Sequence, residues 1–407
     1  MPRSRTRTRP SSSGSTRTSS ESSTVVNSLL QEWDDLPAVD HHCHPLLHLT
    51  TKLTPIDLRR PFTEAINDTV IREHTHQSMA YRRALRILAA ELGCDPTEEG
   101  VLGSRDGADP AEYANRLLKK SRTGLMILDH GYAGGEAMSP AEHSSTIETP
   151  QLHVVRLETA AEGLVASCVS VTEWMDSARS MLRDAVDAGA VGVKTISAYR
   201  ASLQLGEPDP SRAAADFKIL RARTGAGETV RLEGESLSHT LLLGAAEECS
   251  TLGVPLQVHC GLGDPDEDLA LANPLGLRRL FVEQRFANLK VVLLHCYPFH
   301  REAAYLSSVF PNVYMDLSLA IHLAGQDGAR ALEEALGLCP TSKLLYATDA
   351  SRFAEVYLVA AVLYREALGG ALGRLVDSDW LTRAEAVEAG RQVLSGNARR
   401  VYEFMEP

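Results

Sequence analysis

The seven cysteines of this chain are odd in number and scattered, at Cys43, Cys94, Cys168, Cys249, Cys260, Cys296 and Cys339. No CxxC pair occurs among them. That spacing excludes both a disulfide framework and a structural zinc cluster, and points to reduced thiols in a cytoplasm. Long hydrophobic runs are also missing, so no stretch reads as a membrane span. Positive charge is in deficit, with a formal net charge of -12. Such a surface repels phosphate backbones and anionic lipid, which argues against nucleic acid or membrane partners and for a small-molecule substrate. GxGxxG, GxxxxGK[ST], GxSxG and HExxH are all absent, which removes the usual signs of dinucleotide, P-loop, serine-hydrolase and zincin chemistry.

Residues 1–25 hold five arginines and many Ser and Thr, with almost nothing apolar before Val25. No core can form from such a segment, which is expected to be a disordered tail. The remaining chain, 26–407, alternates short β-rich runs with helical stretches, the pattern of an α/β fold with a parallel sheet. Strands are expected near 37–42, 124–129, 152–157, 190–196, 254–260, 290–296, 312–317 and 343–348, with 163–171 either a further strand or a helix lead-in. Eight strands is the count of a (β/α)8 TIM barrel. Residues 55–120 are too long for a simple crossover and are expected to form a helical insertion after the first strand. Within it, 78–92 carries Leu85, Leu88 and Leu92 on one helical face. Helices are also expected at 236–253, 353–368 and 381–405.

The sharpest local feature is Val-Asp-His-His-Cys-His-Pro at 39–45. Strand alternation places Asp40, His42 and His44 on one face and turns His41 and Cys43 away. Two imidazoles at i and i+2 can converge on one ion, or form a hydrogen-bonded structural pair. Two later strands end alike, in Val-His-Cys at His259 and Leu-His-Cys at His295. The cysteines beside His42, His259 and His295 are expected to pack between sheet and helices as small apolar residues. Asp349 ends the last expected strand, as a metal ligand, a proton acceptor or a helix cap. Lys194 lies inside an apolar strand, where an unpaired ammonium is costly. His74 and His76 also form an HxH, but on helical backbone, where i and i+2 diverge.

HxH at the first strand, Lys at the fourth, His at the fifth and sixth and Asp at the eighth resembles the ordered ligand set of the amidohydrolase superfamily. The stretches LGCDP, GVKTISAYR, VHCGLGDPDEDLALANPLGLR, LLHCYPFHREAAYLSSVFPNVYMDLSLA and YATDASRFAEVYLVA are similar to the amidohydrolase domain of FluG and nodulin/glutamine synthetase-like proteins, over roughly residues 35–405. No glutamine synthetase-like domain follows before Pro407, so activity is expected of the barrel alone. The resemblance implies a hydrolase of C–N bonds that uses one or two Zn2+ or Mn2+ ions, with γ-glutamyl amides as the suggested substrates. His42, His44 and Asp349 would hold one ion. His259 and His295 would hold a second, with a carbamate on Lys194 between them. In a one-metal form, His295 would instead polarise the substrate, and Asp349 is the implied proton acceptor. Arg156, Arg200 and Arg352 are candidates for a substrate carboxylate, Glu158 or Glu173 for an ammonium, and Tyr199, Tyr297 and Asp264 for further contacts. The rival readings are a decarboxylase or sugar-acid isomerase on the same barrel, and a non-catalytic barrel scaffold. A homo-oligomer is expected.

Overall fold

The computed structural model describes residues 19–49, 52–132 and 134–404. Seven strands form one parallel sheet in sequential order: β1 Ala38–Cys43, β2 Thr123–Asp129, β3 Gln151–Arg156, β4 Ala190–Thr195, β5 Leu256–Cys260, β6 Val291–His295 and β7 Val313–Met315. Both faces of such a sheet must be covered, so its strands are rich in apolar residues and their alternation sorts these into two layers. Val39, Ile127, Val154, Val292, Leu294 and Leu345 share the inner cluster. Val193, Leu256, Val258, Val291 and Leu293 pack outward against the helices. The C-terminal helix Asn397–Tyr402 plugs the inner cluster from one end, where the Tyr402 hydroxyl meets His41 Nδ1 at 3.0 Å and accepts from Gln257 Nε2 at 2.8 Å.

The eighth expected strand, 343–348, closes the curl without becoming a regular strand. Leu344 makes one parallel bridge to Met315. Leu345 N donates to Met315 O at 2.9 Å, His41 N to Tyr346 O at 3.3 Å and Asp349 N to His42 O at 3.0 Å. The ladder is broken because Thr348 uses its N–H (3.0 Å) and hydroxyl (2.5 Å) on the Asp40 carboxylate. Side chain thus replaces backbone at the seam between first and last segments.

Of the other expectations, one is corrected and two are resolved. Residues 163–171 are not a strand: they span the end of helix Leu157–Leu164, the short turn Val165–Ser167 and the cap at Ser170. Helix Ser19–Glu32 begins inside the segment expected to be disordered; the remainder of that tail, residues 1–18, lies outside the described residues. Helix Ala354–Asp377 is long and apolar enough by composition to cross a membrane, yet 78% of its apolar window is buried within this protein. It serves as a core helix.

The insertion after β1 is helical as expected, with Pro55–Arg59, Met79–Leu92, Glu98–Asp106 and Pro110–Ser121. Ser78, Thr97 and Asp109 cap the last three by accepting from their first-turn N–H groups. Arg59 grips Glu98 bidentately at 2.6 and 2.7 Å, and the Tyr81 hydroxyl donates to the same carboxylate at 2.8 Å. A buried Arg105–Glu355 pair at 2.5 Å ties the insertion to the core helix. Replacing Thr348 by Val should strand one buried oxygen of Asp40 and cost about 1–3 kcal/mol. Urea unfolding checks this, and a midpoint equal to that of the parent chain refutes the seam.

Candidate metal centre

The strand ends deliver the histidines to one mouth of the curled sheet, but strict alternation does not. The β1–β2 register slips between Asp40 and Cys43, and a bulge there changes which side chains face inward. His41, expected to point away with Cys43, instead shares the inward face of Val39 and sets Nε2 2.9 Å from Asp316 Oδ2. Asp40 serves the seam rather than the site. Cys43 does turn outward, into the cluster beneath the core helix, and Cys260 and Cys296 sit in the outer layer as expected.

Left-handed backbone makes the remaining corrections. His295 has φ 67°, Cys296 φ 53° and Asp349 φ 52°. Such values cost a non-glycine residue about 1–3 kcal/mol and persist only when surrounding contacts fix them. Here the His295 N–H is held by Asp316 Oδ1 at 2.7 Å and the Asp349 N–H by His42 O. Gly261, at φ 76°, lets the loop after β5 pass the Tyr297 carbonyl, which a Cβ would meet at 2.3 Å.

Asp349 Oδ1 stands 3.2 Å from His42 Nε2 and 3.1 Å from His44 Nε2. His295 Nδ1 is 3.7 Å from Asp349 Oδ2. Ligands about 2.0–2.2 Å from one ion are spaced at about 3–3.5 Å from each other, so the spacing of Asp349 Oδ1 from the two Nε2 atoms suits a shared cation. Both His42, His295, Asp349 and His42, His44, Asp129 form groups compact enough to hold one. Asp129 is otherwise engaged: Arg156 binds it through Nε (2.9 Å) and Nη2 (2.6 Å), and Gly131 N donates to it. Asp349 Oδ1 and His42 Nδ1 are buried with no hydrogen-bond partner.

The outer contacts fix the tautomers. His44 Nδ1 lies 3.0 Å from the Asp129 carbonyl, which can only accept, so Nδ1 carries the proton and Nε2 presents a lone pair. The Ser318 hydroxyl donates to Asp316 Oδ1 at 2.7 Å, which leaves His295 Nδ1 as the donor to Ser318 Oγ at 2.8 Å. The His295 Nε2 lone pair is thereby also free. Burial, aided by the Lys194 charge, lowers the His42 pKa to about 3, keeping its ring neutral. Burial alone would raise Asp349, but His295, His42 and His44 hold it well below the usual carboxylate range. Lys194 Nζ approaches His42 Nε2 at 2.8 Å and Asp129 at 3.7 Å, and its pKa is lowered, chiefly by burial.

A cavity of about 360 Å³ opens above these groups. Its lining includes His44, Lys194, His259, His295 and Asp349, and also Arg156, Tyr199, Arg200, Asp264 and Arg352. Glu158 and Tyr297 are not among the lining residues. Glu158 is buried and accepts from the Thr195 hydroxyl (2.5 Å) and Ile196 N (3.0 Å), so it braces the end of β4. Tyr297 stacks on His300. Glu173 accepts from Val169 N beside its own helix start. Arg156 lines the cavity but is committed to Asp129, and Arg200 pairs with Glu162 at 3.1 Å. Arg352 is held most loosely, 3.8 Å from the exposed Glu136.

Sequence reasoning missed Asp129, Glu64, His322 and Glu267. Asp129 carried the same signal as Asp349, an acid at a strand end. Glu64 comes from the insertion and His322 from the short helix Ala320–Leu323, neither of which has a strand-end signature. Burial, then Asp349 and Asp264, push Glu64 up to about 8.

The chain matches the amidohydrolase family over residues 39–404. It is 28% identical over 403 residues to the protein FluG of Emericella nidulans, covering 91% of this chain and 46% of FluG, so it spans about half the length of that relative. A crystal structure of a Lactobacillus casei protein described as a metal-dependent hydrolase superposes with a TM-score of 0.81 at 29% identity, covering 92% of this chain and 97% of that one. A uronate isomerase from Thermotoga maritima shares the fold, with a TM-score of 0.67 at 15% identity over 93% and 97% of the two chains. With the match running from the first strand to the C-terminal plug, the chain belongs to the amidohydrolase family.

Proposed function

We propose that this protein hydrolyses a C–N amide bond with a divalent ion, Zn2+ or Mn2+, held by His42, His44 and Asp349. The observation that carries the reading is the approach of two imidazole Nε2 atoms to one buried carboxylate oxygen that no hydrogen bond satisfies. His259 and His295 would hold a second ion, with a carbamate on Lys194 between the two. The lowered pKa of Lys194 favours the neutral amine that carbamate formation requires. An ion in this place supplies Lewis acidity, lowering the pKa of a water toward ~7 and polarising a carbonyl.

The protein's own groups do the rest. Asp349 is held ionised, so it can take a proton from the attacking water and return it to the leaving amine. The hydrogen-bond chain from His295 through Ser318 to Asp316 keeps a lone pair at His295 Nε2, which supports a ligand role over that of a proton donor. The cavity carries both signs of charge: Arg352 suits a carboxylate bidentately, and Glu64 with Asp264 suits an ammonium. Burial, and then the neighbouring Asp349 and Asp264, push Glu64 up, and a substrate ammonium would offset both. An amino-acid-like amide, such as a γ-glutamyl amide, presents both groups.

An amine-release screen over γ-glutamyl amides, dipeptides and cyclic amides with added Zn2+ or Mn2+ should return amine from at least one γ-glutamyl compound. Release of CO2 from an aromatic acid, with no amine from any amide, would replace this reading by a decarboxylase. Asp349→Asn should lower turnover by about 10²–10⁴-fold, the range of a lost proton acceptor; wild-type turnover would remove Asp349 from that role. Arg352→Ala should raise KM about 10–100-fold for carboxylate-bearing substrates and change kcat much less, which steady-state kinetics will read.

A further inference from the structure

The loop after β5 carries a carboxylate that neither the family's ligand order nor the proposed mechanism uses. Glu267 Oε2 lies 2.8 Å from His259 Nε2, and the two side chains are 2% and 4% exposed. Despite that distance, His259 Nε2 and both Glu267 oxygens are without a hydrogen bond. The contact is close but not aligned, as it would be if the ring N–H donated to the carboxylate. Two buried oxygens without a donor are costly unless a cation meets them. At 2.8 Å the nitrogen and carboxylate oxygen are slightly closer than the ~3–3.5 Å of neighbouring ligands, so a small outward shift of either side chain would let both reach one ion.

The surroundings keep that position open. Gly263 stands where a Cβ would come 3.0 Å from Glu267 Oε2 and 2.1 Å from the Tyr199 hydroxyl. Tyr199 covers the outer face of His259, with ring centroids 4.5 Å apart. The His295 ring lies 4.6 Å away on the same histidine. The arrangement leaves His259 and Glu267 shielded from water and directed at a common point beside the proposed centre.

We infer that Glu267 is a direct metal ligand, completing with His259 a second divalent-cation site next to the one formed by His42, His44 and Asp349. This rests on the metal-dependent reading above and adds a protein carboxylate to it. A carboxylate at this place gives the second ion an anionic ligand of its own.

The test is metal analysis of the purified full chain, loaded with Mn2+ or Zn2+ and then dialysed. Wild type should retain two ions and Glu267→Gln one, with the magnetic coupling of a Mn2+ pair lost from the electron paramagnetic resonance spectrum. Competition with a chelator should show the second ion weakened by more than the roughly 10–100-fold that losing a mere orienting partner costs. Glu267→Asp should restore part of that affinity. Thermal unfolding shows whether the variant is folded, and His259→Ala should reproduce its loss. If Glu267→Gln keeps both ions with affinity reduced 100-fold or less, Glu267 only positions His259 and the inference is overturned. If wild type binds no ion under these conditions, the metal reading itself falls, and this inference with it.

Discussion

The organising constraint in this protein is a buried carboxylate with no donor of its own. Asp349 sits among His42, His44 and His295, with its Oδ1 atom 3.2 and 3.1 Å from two imidazole Nε2 atoms and no hydrogen bond to either. Burial removes the water that would otherwise satisfy such groups. A cation at their common point would satisfy them together. The same logic governs the His259–Glu267 contact, so one physical argument covers both halves of the site.

Maintaining such a cluster demands rigid support, and the support comes from carboxylates placed one layer further out. Asp316 accepts from the His295 amide, the Ser318 amide and the Ser318 hydroxyl, fixing both the strained backbone of His295 and its tautomer. Asp129, neutralised by Arg156, anchors His44 through its own carbonyl. Asp40 holds the closing segment that carries Asp349. Asp40 lies within β1, Asp129 ends β2 and Asp316 follows β7, so the sheet itself holds these bracing acids in place.

The charged lining of the cavity comes from segments outside the sheet. The insertion after β1 is stapled by Arg59–Glu98 and Arg105–Glu355, and this fixed body brings Glu64 to the cavity. The segment after β4 and the closing segment bring Tyr199, Arg200 and Arg352. On the reading proposed above, these groups would decide which charged ends of a substrate sit beside the strand ends.

The sequence by itself determined the architecture and picked out the residues that the structure gathers at one mouth of the sheet. Apolar strand runs separated by helical stretches are enough to specify a parallel barrel, and His42, His44, His259, His295 and Asp349 are all visible because each follows a strand at the catalytic end. Glu158 and Tyr297 had the same signal and were drawn elsewhere, to a bracing bond and to a stacked ring, since proximity to a strand end does not fix side-chain direction. What only the tertiary structure decided are the effects of local irregularity and of long-range approach. The register slip in β1 set His41 and Cys43 on opposite faces, positive φ angles placed His295 and Asp349 at the mouth, and chain segments distant in sequence delivered Glu64, His322 and Glu267. Strand periodicity assumes regular backbone, and an active site is where the backbone is least regular.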